Sequence, residues 1–253
     1  MNLQSLAQLF QSFFSTIGYL FLFIVFGLFF DSTYMTDVLP HNQHISTFFM
    51  LIGFVIVYSR VTSRYKSQML YAVIIGVIGE YLFSIGLGMY TYRLGNIPHY
   101  VPPGHALVLV ATIYFCKESI VKKYRKLLEK VFTVFILVYA TLFLIFAGDV
   151  FGFIMSLLVV FLLRNKPRER LFYLSMYIVV AFLEIIGTNY GCWFWPETAY
   201  DTFSFLKSAN PPSGISLFYF LLDLGSLWVY KQRHKIAWNR MKNIRKIRAK
   251  VAS

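Results

Sequence analysis

Charge is scarce in this chain of 253 residues: Asp, Glu, Lys and Arg together make up 14% of it, with 11 acidic against 24 basic side chains. A soluble domain carries about a quarter charged residues, so a composition of 58% hydrophobic and 19% aromatic residues excludes that class and indicates an integral membrane protein. Cysteine is scarcer still. Two of them, Cys116 expected at the inner end of one helix and Cys192 at the outer end of another, exclude a disulfide framework. There is no G-x-S-x-G elbow, no phosphate-cradling glycine loop and no dinucleotide fingerprint, so no cofactor is expected. His41 and His44 form an isolated H-x-x-H in an outer loop, without a helical E-x-x-H or a cysteine cluster, and no metal site is expected from them. No basic region precedes the first apolar run and no small-residue cleavage site follows it. That run is therefore expected to stay as an anchor and not to be removed as a signal peptide.

What the chain does have is apolar runs. About 20 apolar residues cross a hydrocarbon layer of about 30 Å. On that measure transmembrane helices are predicted over 13–30, 45–59, 69–92, 103–116, 131–147, 150–163, 171–190 and 213–230. The fifth and sixth are separated only by Gly148 and Asp149 and are read as a tight hairpin, with Asp149 solvated in its outer turn. With eight crossings, 22 of the 24 basic residues fall on one side, leaving Arg93 and Lys207 opposite, which is the partition the positive-inside rule demands. The expected fold is an all-α integral membrane protein of about eight transmembrane helices with both termini cytoplasmic. It divides into two weakly similar four-helix halves, 1–130 and 131–230, and a basic tail, 231–253. The tail places Ile236, Met241, Ile244, Ile247 and Val251 among lysines and arginines. It reads as an amphipathic helix on anionic inner-leaflet lipids, since topology accounts for the charge without nucleic acid.

The halves echo each other. Glu80 corresponds to Glu184, the run Gly88, Tyr90, Tyr92 to Gly191, Trp193, Trp195, and Pro102-Pro103 to Pro211-Pro212. Because both halves insert in the same direction, the repeat is parallel about an axis along the membrane normal. Pro103 and Pro212 suit the first turns of the fourth and eighth helices, with Asn210 as a cap. An ionisable side chain within the bilayer costs about 2.5–3.5 kcal/mol by insertion scales, so it normally faces protein or a water-filled cavity. Glu80, Glu184 and Asp223 are in that position. Ser84 and Thr188, each four residues after an acid, place a hydroxyl one turn outward on the same face, with Asn189 alongside. Two carboxyls sharing a dry site can be divided into a proton donor and a base. His105 follows Pro-Pro-Gly at a helix start, where it can orient water or bind a headgroup. His99 lies in the same outer loop. Tyr90, Tyr92, Trp193 and Trp195 fit an interfacial aromatic belt, or the wall of a portal for an elongated lipid. The plainer alternative for the acids is hydrogen bonding that only stabilises helix packing.

The string G-x-G-M-Y-T-Y-R-L-G, carried here by Glu80, Gly88, Tyr90, Tyr92, Leu94 and Gly95, resembles the membrane-bound carotenoid hydratases of the bisanhydrobacterioruberin hydratase type. Gly191, Trp193 and Trp195 resemble that family's second segment. The likeness covers part of the first half and a short stretch of the second, and departs at Pro103-Gly104-His105 and at 210–214. The resemblance implies a polytopic enzyme of a bacterial or archaeal cytoplasmic membrane, acting on an apolar isoprenoid or carotenoid-like lipid. One acid protonates a terminal carbon–carbon double bond and the other deprotonates the adding water, with Ser84 or Thr188 placing it. The candidate catalytic residues are Glu80, Glu184, Asp223 and His105; the candidate substrate contacts are Ser84, Tyr90, Tyr92, Thr188, Asn189, Trp193 and Trp195. Two other readings stay open: a small proton-coupled transporter using Glu80 and Glu184, and a non-catalytic membrane subunit.

Overall fold

The structure, a computed structural model, describes residues 2–39 and 41–251. It is mostly helical. Five helices are long and apolar enough to cross a membrane: α1 (Leu3–Phe30), α2 (Asn42–Arg60), α3 (Ser63–Gly86), α6 (Arg125–Ala147) and α8 (Arg170–Asn189). Two shorter apolar helices are α4 (Val101–Lys117) and α7 (Val150–Leu163). The remaining helices are α5 (Ser119–Lys123), α9 (Ser216–Arg233) and α10 (Lys235–Val251). The exterior is apolar: Phe26, Ile74, Ile78, Val138 and Phe146 are all exposed, as suits helices whose solvent is lipid.

The long apolar runs form helices because each closes its own backbone hydrogen bonds, the requirement hydrocarbon imposes. The break between α6 and α7 is at Gly148, in the left-handed region (φ 65°), followed by Asp149. At the other boundaries the structure differs from expectation. The third helix ends at Gly86 rather than running to 92, because its last turn, Tyr81–Gly86, is wound as a π-helix. Gly88 (φ 58°) then takes the chain out of the helix into β1 (Thr91–Tyr92). Pro103 does sit in the first turn of α4, two residues after Val101. Pro212 does not open α9, which starts at Ser216, and Asn210 caps no helix; its Oδ1 accepts from the Trp195 backbone N–H at 3.0 Å.

The core lies around α4 and α8. Ala106 to Val110 are five consecutive buried residues, so α4 is covered on every side despite its length, and α8 is buried over most of its surface. α3 packs on α4 and α9, and α8 packs on α4, α6, α9 and α1. At one end of this bundle β1 pairs antiparallel with β2 (Trp193–Phe194), Thr91 opposite Phe194 and Tyr92 opposite Trp193. The two aromatic segments of the repeat are thus joined to each other. A second hairpin pairs β3 (Thr198–Ala199) with β4 (Phe203–Lys207).

Two acids brace this end. Asp31, fully buried after α1, forms an ion pair with Arg93 (2.6 Å) and accepts from the Tyr100 hydroxyl (2.7 Å). Asp149 is not solvated as expected but fully buried. Its Oδ1 accepts from the N–H groups of Gly152 (3.0 Å) and Ala209 (3.1 Å), and its Oδ2 from that of Ser213 (2.7 Å). The loop after α8 folds back over the hairpin turn and removes it from solvent. In the tail, α10 is helical, and Lys231 lies over the Trp238 ring at 4.9 Å. Ile236 and Ile244 are exposed, and the side chains of Ile247 and Val251 lie outside the described residues.

Candidate active site

Glu80 is the last α-helical residue of α3 and Glu184 lies in the C-terminal half of α8; both are buried. Buried carboxyl groups need hydrogen-bond partners, and each finds three. Glu80 Oε2 accepts from the hydroxyls of Tyr90 and Tyr92, both at 2.6 Å, and its Oε1 is 3.0 Å from His105 Nε2. Glu184 Oε2 accepts from the indole N–H of Trp193 (2.8 Å) and Trp195 (3.1 Å), and its Oε1 from the Tyr219 hydroxyl (2.9 Å). The arrangement is the same twice. One oxygen takes the two aromatic donors of the following G-x-aromatic-x-aromatic segment, and the other pairs with a group near the start of the next apolar helix.

Local geometry explains how the donors reach back. Left-handed Gly88 and Gly191 (φ 58° and 67°) reverse the chain after α3 and α8, so side chains beyond the helix end return to an acid within it. The two-residue spacing of Tyr90 and Tyr92, and of Trp193 and Trp195, is that of an extended segment, which puts both donors on one face. Burial, and after it the neighbouring Glu80, push the Tyr90 and Tyr92 phenols well above their ordinary range, so both remain donors.

The two shells touch. The His105 and Tyr219 rings lie 4.9 Å apart and those of Tyr90 and Trp195 4.6 Å apart. Between them is a chamber of ≈ 80 Å³, bounded by both acids and by Met50, Phe83, Met89, Phe218 and Leu222 among others. At about 10–15 Å³ per water, this space holds several waters or the end of an alkyl chain.

The structure brings together seven of the residues singled out from the sequence: Glu80, Glu184, His105, Tyr90, Tyr92, Trp193 and Trp195. Four others are elsewhere. Ser84 is in the π-helical turn, whose wider winding rotates it off the Glu80 face, and its hydroxyl donates to the Tyr90 carbonyl at 3.1 Å. The Thr188 hydroxyl donates to the Glu184 backbone carbonyl (2.8 Å) and the Asn189 amide to that of Ile185 (2.8 Å), the nearest acceptors one turn back. Asp223 does not line the chamber. Its neighbour Leu222 does, meeting Gly79, and about 100° of helical rotation turns Asp223 away, with Oδ2 buried and without a hydrogen-bond partner among the described residues. His99, His41 and His44 are exposed outside the site. Among the described residues no group of three or more His, Cys, Asp and Glu side chains is gathered as a metal would require.

Tyr219 was missed. The repeat carried a signal for it, since the apolar run after Pro211-Pro212 is aromatic, but nothing in the spacing distinguishes Tyr219 from Phe218 or Phe220. The buried ion pair of Asp31 and Arg93 was also missed, because its partners are 62 residues apart. Comparison with models of protein families, with curated proteins and with solved structures finds no match to this chain.

Proposed function

We propose that this protein is a membrane enzyme that adds water, by acid–base catalysis and without a cofactor, to a carbon–carbon double bond of an apolar isoprenoid or carotenoid-like lipid. The observation that carries this reading is the pair of buried glutamates, each held by three side-chain hydrogen-bond partners and both facing one aromatic chamber. A proton from the acid pair adds to the less substituted alkene carbon as the π bond breaks. The tertiary cation so formed lies against the faces of Tyr90, Trp193 and Trp195, each worth about 0.5–2 kcal/mol in cation–π attraction. Water adds through its oxygen and returns a proton to the pair, so the enzyme ends as it began. The chamber admits the end of a chain and not a whole polyene, which suits reaction at a terminal double bond with the rest of the lipid outside.

The membrane arrangement belongs to the same proposal. All eight helices α1–α4 and α6–α9 cross the bilayer in two parallel halves, both termini are cytoplasmic, and α10 lies on the anionic inner leaflet. The basic residues between α2 and α3, from α4 to α6, between α7 and α8 and after α9 support this direction of insertion.

Lipid mass spectrometry of membranes with and without the protein, beside Glu80→Gln, tests the reaction. The expected result is an isoprenoid heavier by one water only where the unmodified protein is present. An unchanged lipid profile rejects hydration and favours proton-coupled transport by the same acids.

A further inference from the structure

The end of the bundle opposite the chamber holds a cluster that the acid pair does not use. Arg64, in the first turn of α3, precedes Glu80 by 16 residues, which is about 24 Å along the helix. Its Nε is buried without a hydrogen-bond partner among the described residues, and its Nη1 meets only the thioether of Met241, at 3.5 Å. The guanidinium lies 5.8 Å from the ring centroids of both Tyr65 and Tyr230. The Lys117 ammonium, at the end of α4, lies 4.2 Å from that of Tyr65, so two cations share one ring. Among the described residues no carboxylate is within ion-pair distance of either, not even that of Glu118, the next residue after Lys117. Gln68, one turn beyond Arg64 on the same face, is buried with its Oε1 also unpartnered among those residues.

Like charges held side by side repel, and an anion between them reverses the sign of the interaction. A buried donor and a buried acceptor left open at one place call for a ligand that carries both kinds of group. A phosphoryl group does so: its oxygens accept from an arginine and a lysine together, and a hydroxyl on or beside the phosphorus donates to an amide oxygen. We infer that Arg64, Lys117 and Gln68 form a binding site for a phosphoryl group, carried by an anionic phospholipid headgroup or by free phosphate. The rings of Tyr65, Tyr114 and Tyr230 wall it, and α10 lies against it through Met241. One bound phosphoryl group thereby ties α3 to α4 beneath the tail, which is a discrete site and not the diffuse attraction of a basic helix to a charged surface. None of its residues lines the chamber, so the site stands apart from the hydration reading.

Native mass spectrometry of the delipidated full chain in detergent counts what the site retains. The probes are phosphatidylglycerol, phosphatidylcholine, whose phosphate is neutralised within its own headgroup, and inorganic phosphate. The expected result is one saturable adduct with phosphatidylglycerol or with inorganic phosphate, and a weaker one with phosphatidylcholine. Arg64→Gln and Lys117→Gln should each weaken it about tenfold or more, and Arg240→Gln, on the exposed part of the tail, should leave it unchanged. The Lys117 side chain is exposed, so its variant decides the matter should Arg64→Gln fail to fold. A phosphatidylglycerol adduct that inorganic phosphate does not displace identifies the headgroup as the ligand; displacement identifies the free anion. No adduct with any probe, equal binding of phosphatidylcholine, an equal loss in Arg240→Gln, or an adduct undiminished in either folded site variant overturns the inference.

Discussion

At the residue scale, the buried acids are satisfied by partners from distant parts of the chain, and each partner can be removed singly. Trp193→Phe or Trp195→Phe keeps the ring but takes a donor from a buried carboxylate. Each is expected to cost about 1.5–3 kcal/mol, read as a lower unfolding midpoint in detergent, together with a loss of turnover. Arg93→Met strands Asp31 as an unpaired buried charge and is expected to cost about 3–5 kcal/mol. Adding Asp31→Asn should recover part of that loss, and no recovery would show that Arg93 acts by packing alone. The raised phenols of Tyr90 and Tyr92 set a pH dependence. Above about pH 10 the unfolded chain's phenols ionise while these two do not, so the unfolded state binds fewer protons and stability falls with rising pH. Below that pH their contribution is constant. A decline in stability that steepens above the ordinary phenol range, and steepens less in Tyr92→Phe, checks this.

At the element scale, the short turns after α3 and α8 matter as much as the helices. Gly187 is one such place: an added Cβ would overlap the Trp193 indole. Gly187→Ala is expected to cost about 1–3 kcal/mol by overpacking and to pull Trp193 off Glu184, seen as a shift in tryptophan fluorescence. Gly27→Ala, where a Cβ meets open space, should leave the fluorescence unchanged. The helices themselves were largely legible, because an apolar run bounded by charge or Gly-Asp is a strong signal and each helix satisfies its own backbone. The ends were not. Whether a helix continues through 87–92 depends on the π-helical turn and left-handed Gly88, and on β1 finding β2 a hundred residues later, none of which is encoded in hydropathy.

For the whole molecule, the proposed eight crossings make a test of accessibility. In a cysteine-free background, single cysteines at Lys66 and Arg168 should react with an impermeant thiol reagent from the cytoplasmic side only, and one at Lys207 from the opposite side only. Labelling of Lys66 and Lys207 positions from the same side would remove the parallel arrangement of the two halves, though not the five long apolar helices.

The apolar runs, the asymmetry of the basic residues and the doubled pattern of acid, glycine and aromatic pair are properties of a linear chain, because hydrophobicity and charge act on each segment wherever it packs. They were enough to mark Glu80, Glu184 and His105. The direction of each polar side chain is a different matter. Ser84 and Thr188 had the spacing to join the acids and instead bond to backbone, Asp223 had the depth and faces away, and Asp149 had a turn's exposure and is buried. Tyr219 had no local mark and completes the site. A hydrogen bond depends on angles and on fractions of an ångström, and those are set only when α3, α4, α8 and α9 have packed together and β1 has met β2.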